Sequence, residues 1–430
     1  MPLKKIAQPW LIGLGILAIL SACTAQDFYR TEVTDTPCEL NCDKANLIKQ
    51  TENDYTLGFV ELDDQGQFYD HGQVDALIKL LKNEKNPQYV TLFVHGWHHN
   101  ASDNDFNVRR FKESLKELKK SNPSYKVIGI YVGWRGETLS IPLLRMMTFW
   151  DRKIVSEEVG RNALLDFLLR LESAVKPDSK SNNRLLTIGH SLGASVLFNA
   201  LHQVLLQRLI QPENTSPRSG FGDLVVLINP ALEAMRFATL RDAAIRFSHE
   251  YGFSHLQKPL LFIATSEADT TTKNTFAMSR KLTTVFEKHR PFTTTHYESK
   301  TDQEALSEWD LDNTSIGHFE QFITHRLETN NPAEDDYSCS ASPGWLNNSM
   351  SKQTSPNSSL ALIATMQLHP LNNSASYNPY WIIQTNKTIL PSHGFVNQKL
   401  LWCFIDLTIN DIKPAPPTNS AKLKDATLNN

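Results

Sequence analysis

Between residues 72 and 269 the chain alternates continuous apolar runs with amphipathic stretches, and no other feature restricts its fold as much. "QYVTLFVHGW" (88–97), "YKVIGIYVGW" (125–134), "RLLTIGHS" (184–191), "DLVVLINPAL" (223–232) and "KPLLFIATSEAD" (258–269) read as strands without a polar face. Strands buried on both sides belong in a parallel sheet covered by helices. The intervening segments supply those helices. "DNDFNVRRFKESLKELKK" (103–120) opens on an Asp/Asn cap, and "GASVLFNALHQVLLQRLI" (193–210) follows a strand through a tight turn.

Either side of this core the pattern is weaker. "LGFVELDDQGQFYD" predicts a short hairpin turning at Gln65-Gly66. Residues 290–376, rich in Asn, Ser and Pro, read as a C-terminal loop-rich insertion. The rhythm resumes with a strand in "NPYWIIQTNKTILPSHG" (378–394) and a mainly apolar helix over 395–409, and 413–430 reads as a disordered tail. The expectation is one α/β domain over 51–412, with a mostly parallel central sheet and helices on both faces.

The first residues form a separate unit. "MPLKK" supplies positive charge and "IAQPWLIGLGILAIL" an apolar stretch too interrupted for a comfortable membrane span, so 1–22 read as an export signal. "LSAC" resembles the bacterial lipobox, which implies that Cys23 carries a lipid and anchors the chain in the membrane. Thr24 stands where an inner-membrane retention aspartate would be, so an outer-membrane lipoprotein, periplasmic or surface-facing, is expected. Residues 23–50, polar and Thr/Asp-rich, read as a tether. Four further cysteines in an oxidising compartment allow two bridges, and the simplest pairing joins Cys38 to Cys42 and Cys339 to Cys403. A formal net charge of -3 leaves no basic surplus for nucleic acid.

Chemistry concentrates at Gly189-His190-Ser191-Leu192-Gly193, a G-x-S-x-G pattern between a buried strand and a helix. That context presents a serine hydroxyl at the top of a sheet. Here the chain resembles the α/β-hydrolase superfamily, in its lipase- and esterase-like branch. Within it, the chain is similar to a group of bacterial lipoproteins sharing segments like "HGW", "WRG", "TFWDRK" and "NPALEA". The resemblance implies Ser191 as nucleophile, with backbone amides of Leu192 and Trp97 as oxyanion donors. The superfamily's order of Ser, then acid, then His makes Asp269 the acid, with Glu267 in reserve. His393, in the loop after the expected last strand, is the favoured base, and His318 is the alternative.

Two other readings compete. His95, His98, His99 and Asp103 lie close enough in sequence to suggest a metal site, although they lack a known ligand spacing. A non-catalytic lipid-anchored binding or scaffold protein could also keep the fold. The segment 136–155, carrying Leu143, Leu144, Met146, Met147, Phe149 and Trp150, is read as a lid-like insertion or acyl-binding wall, or else as a core helix. The expected function is a serine hydrolase acting on a small-molecule ester or lipid, without metal or organic cofactor. An amidase, thioesterase or peptidase would use the same residues.

Overall fold

A computed structural model describes residues 28–136, 145–178, 180–211, 217–295, 303–330, 339–341, 344–351, 362–363, 365–371, 376–394 and 398–413. The strands are β1 (Leu47–Gln50), β2 (Tyr55–Glu61), β3 (Gln88–Val94), β4 (Lys126–Gly133), β5 (Arg184–His190), β6 (Leu224–Ile228) and β7 (Leu261–Ser266). They continue as β8 (Pro291–Thr295), β9 (Gln303–Ser307), β10 (His325–Glu328), β11 (Leu362–Ile363), β12 (Met366–Pro370) and β13 (Tyr380–Thr385). The helices are α1 (His71–Asn83), α2 (Phe106–Ser121), α3 (Arg145–Arg161), α4 (Ala163–Val175) and α5 (Leu192–Ile210). After them come α6 (Ala234–Glu250), α7 (Ala277–Thr283), α8 (Glu308–Asn313), α9 (Trp345–Ser351) and α10 (Lys399–Ile412).

Among the described residues one sheet runs β1-β2-β4-β3-β5-β6-β7-β13-β10-β12-β11. From β2 to β10 every neighbouring pair is parallel, and antiparallel strands finish both edges. Alternate residues feed two cores. Leu92 and Val94 face the side covered by α1, α4, α5 and α6, while Tyr89 and Phe93 face α2 and α10. The chain is a mixed α/β protein with a mostly parallel central sheet, as its apolar runs require.

The topology also locates a crevice. The connection from β3 leads to β4 on one side, and β5 returns to the other side of β3. The loops after β3 and β5 therefore part at a switch point, where ligands bind in open parallel sheets. β13 lies beside β7, bringing the loops that follow them together across 124 residues of sequence.

Several expectations are corrected. Residues 290–376 are not only loop: β10 and β12 extend the central sheet, and β8 pairs with β9 in a separate hairpin. The hairpin at Gln65-Gly66 reduces to a single bridge, Leu62 to Phe68, because β2 is a full sheet strand. The tether reading fails over 28–50. There β1 pairs with β2, and Arg30 is fully buried, its Nε donating to the Ala101 carbonyl at 2.8 Å and its guanidinium 3.6 Å over the Phe59 ring. The disulfides join Cys38 to Cys42 and Cys339 to Cys403. The signal stretch, Cys23 and the tail beyond Lys413 lie outside the described residues.

Candidate active site

Ser191 sits between β5 and α5 with φ 55° and ψ −119°, a conformation that costs a non-glycine residue roughly 1–3 kcal/mol. The surroundings impose it. Its N–H donates to the Ile228 carbonyl at 3.0 Å, and its own carbonyl accepts from Ala231 N at 3.1 Å and Ala194 N at 3.2 Å. Two glycines allow the β3 loop to press onto this turn. A Cβ on Gly193 would stand 2.3 Å from the Val94 and His95 carbonyl oxygens, and one on Gly96 2.9 Å from the Ser191 Cβ.

His393 Nε2 lies 2.9 Å from Ser191 Oγ, and His393 Nδ1 lies 2.9 Å from Asp269 Oδ2. An ionised carboxylate only accepts, so Nδ1 carries the proton and Nε2 is left to accept from the serine hydroxyl. Asp269 is fully buried. Its Oδ1 accepts from Thr271 N at 2.9 Å and Thr272 N at 3.2 Å, and its Oδ2 from Thr272 Oγ1 at 2.5 Å. Burial alone would raise this carboxyl. The His393 and Thr272 hydrogen bonds outweigh it and hold the group below the ordinary range.

Backbone contacts fix the histidine loop. The His393 carbonyl accepts from His190 Nε2 at 2.7 Å and Asn229 Nδ2 at 2.9 Å, and Ser266 Oγ donates to the Leu390 carbonyl at 2.5 Å. Asn229, at φ 44° just past β6, also accepts from Ser266 N at 3.0 Å. Sequence reading missed Thr272, Asn229 and His190 as supports. Only Thr272 left a local signal, a hydroxyl three residues after an aspartate at a helix start.

The other candidates fall elsewhere. His318 does not reach Ser191. Its Nε2 lies 3.0 Å from Thr272 Oγ1, behind the acid. Glu267 is exposed and accepts only from Lys387 N at 3.2 Å. The four residues of the metal reading have other partners: His95 Nε2 accepts from Trp134 N at 3.0 Å, and His99 Nδ1 is 3.1 Å from Asp105. Asp103 pairs with Lys112 at 2.6 Å and Arg30 at 3.4 Å, while His98 stacks on Trp97.

A cavity of about 610 Å³ opens over Ser191 and His393. Trp97, Phe106, Phe149 and Phe276 give it an aromatic side, with Thr271, Thr275, Asn107 and Gln398 as polar counterparts. Among the described residues none that lines it is Asp, Glu, Lys or Arg. Leu192 directly follows Ser191 as the first residue of α5, and Trp97, in the β3 loop, lines the same cavity as Ser191.

Phe149 comes from α3, which covers Arg145 onward of the segment 136–155 read as a lid, an acyl-binding wall or a core helix, and it lines the cavity; residues 137–144 lie outside the described residues. Lys153, 1% exposed, places Nζ 2.7 Å from Glu157 and 3.2 Å from Glu233, itself 3% exposed. Glu233 also pairs with Arg236 at 2.9 Å and with Arg280 at 3.4 Å. Burial would raise the Glu233 carboxyl, but Lys153, Arg236 and Arg280 together push it down to about 2. A helix held by such pairs is a fixed wall. Lys153→Met should cost about 3 kcal/mol in chemical denaturation, because it takes the most buried of three cations from Glu233; a loss near zero would show the cluster to be dispensable.

Burial also governs four histidines. It pushes His95 and His318 down to about 4 and His190 and His325 to about 3. All four folded values lie below the ordinary 6.5, so the unfolded chain binds protons first on acidification. The stability they confer is complete above pH ~6.5 and is lost as pH falls towards 4, at about 1.4 kcal/mol per pH unit for each proton taken up. Urea unfolding at pH 7 and 4.5 should therefore differ by several kcal/mol. Equal stability would mean that these rings titrate as if solvated.

No family model matches the chain, and no curated protein matches it. Among solved structures it is similar to a provisionally named YdeN-like hydrolase from Pectobacterium atrosepticum, at 15% identity over 49% of this chain and 78% of that one, with a TM-score of 0.17.

Proposed function

We propose that the protein is a serine hydrolase of the α/β-hydrolase kind, cleaving carboxylic esters through Ser191, His393 and Asp269. The observation that carries this reading is the unbroken chain from Oγ through the imidazole to a buried carboxylate, at 2.9 Å and 2.9 Å, with the serine in a strained turn. Structural serines rarely occupy such a turn, whereas strain clusters where chemistry is done.

Ser191 Oγ attacks the ester carbonyl carbon while its proton passes to His393 Nε2. Asp269 keeps Nδ1 protonated and stabilises the imidazolium. The developing oxyanion is met by the backbone amides of Leu192 and Trp97. Collapse expels the alcohol, which takes the proton from Nε2. Water, activated by the same nitrogen, then hydrolyses the acyl-enzyme. The cavity's uncharged lining favours a neutral ester, because a charged substrate would lose its hydration without a partner.

The test uses purified protein. Turnover of p-nitrophenyl esters, and fluorophosphonate labelling mapped to Ser191, are expected. Absence of both would leave the binding or scaffold reading. We further propose that a lipid at Cys23 anchors the chain at the outer membrane, on the strength of "LSAC". No helix among the described residues is long and apolar enough to cross a membrane. Cys23→Ser should move the protein from the membrane to the soluble fraction; retention of the processed variant would exclude the anchor.

A further inference from the structure

The cavity wall formed by Thr271–Phe276 runs directly into α7, and the outward side of that segment is unusual. Phe276, Ser279 and Thr284 are buried, and Arg280 turns inward, its Nε donating to the Asp312 carbonyl at 3.0 Å and facing Glu233 at 3.4 Å. The opposite stripe consists of Met278, Leu282, Val285 and Phe286, which are 50%, 65%, 58% and 98% exposed. Met278 and Leu282, four residues apart, share one side of α7, and Val285 and Phe286 follow in the turn after it, closed by Glu287 N donating to the Thr284 carbonyl. Isolated exposed apolar residues need no explanation, but a contiguous stripe does.

Its charge indicates what covers it. From residue 273 to 290 the exposed ionised side chains are Lys273, Lys281, Lys288 and Arg290 against Glu287 alone. Glu308, across from Arg290, accepts from that residue's backbone N–H. A flexible Met, Leu and Phe stripe edged by lysines is the composition that settles at the headgroup level of an anionic bilayer, where apolar side chains enter the interface and cations are drawn to the negative surface. One residue separates Met278 from Phe276 in the cavity lining, and half-exposed Phe106 lines the same cavity.

We propose that the outward side of residues 273–290 docks on an anionic lipid surface, turning the mouth of the cavity towards the membrane. This surface acts independently of any acyl chain on Cys23 and of the reaction in the cavity.

The experiment is co-sedimentation of the full chain carrying Cys23→Ser, which has no lipid attachment point, with phosphatidylglycerol-containing or pure phosphatidylcholine vesicles. Binding to the anionic vesicles, weakened by salt, is expected. Leu282→Glu/Phe286→Glu should lower the partition coefficient at least about tenfold, and Lys281→Glu/Lys288→Glu should abolish the preference for anionic vesicles. All four positions are exposed, and circular dichroism checks that each variant is folded. Turnover of a soluble ester should not change in either variant. The proposal is overturned if the parent stays in the supernatant, or if the variants sediment as it does. It is equally overturned if the apolar pair instead abolishes a concentration-dependent dimer seen by ultracentrifugation. Because sedimentation needs no turnover, a protein that binds vesicles without cleaving esters would refute the hydrolase reading and leave this one standing.

Discussion

Replacing Ser191 by alanine is expected to lower ester turnover by roughly 10⁴- to 10⁶-fold while the protein stays folded. Both halves follow from the turn. Alanine keeps the Cβ, so the strain at φ 55° is carried unchanged, and the lost oxygen lies at the floor of the cavity, where its hydrogen-bond partner is His393 Nε2. The freed imidazole nitrogen faces the cavity and can be met by water, so the stability change should stay within about 1 kcal/mol. The remaining rate comes from binding and the proposed oxyanion donors, which act without a nucleophile. Steady-state kinetics with a thermal melt of the same sample makes the comparison. Full activity in a folded Ser191→Ala protein would end the serine mechanism.

The readable parts of this chain are those whose burial is uniform. β3 to β7 are apolar runs because both faces of each strand meet helices, and each lies within its expected segment. The unreadable strands are short and near an edge. "HRLE" of β10 alternates buried and exposed residues over four positions, and β12 does so over "MQL", too briefly to stand out in a polar region. Arg30 misleads for another reason. A charged residue in a Thr/Asp-rich stretch implies solvent, but its guanidinium is satisfied by the Ala101 and Asp43 carbonyls and the Phe59 ring, groups 13 to 71 residues away. The site divides in the same way. The positions of Ser191, Asp269 and His393 follow from where strands end, whereas the hold of Asn229 and His190 on the His393 carbonyl exists only after β6, β5 and the last loop have met.

The two histidines that competed for the base differ in what they touch, and their alanine variants should separate sharply. His393→Ala removes the group proposed to accept the Ser191 proton, so kcat/KM should fall by about 10⁴-fold or more. His318→Ala removes only a donor to Thr272 Oγ1. That hydroxyl points its own proton at Asp269 Oδ2, so the effect reaches the reaction through the carboxylate's placement. Three other contacts still hold Asp269: the Thr271 and Thr272 amides and His393 itself. A displacement of well under an ångström should cost on the order of 10- to 100-fold. Thr272→Val interrupts the same relay, so its loss should resemble that of His318→Ala, and the double variant should be little worse than either single one. Glutamine at 318, which can still donate, should recover part of the loss. Measured on folded protein, a larger loss for His318→Ala than for His393→Ala would move the proton acceptor to His318. Additive losses for His318→Ala and Thr272→Val would break the relay between them.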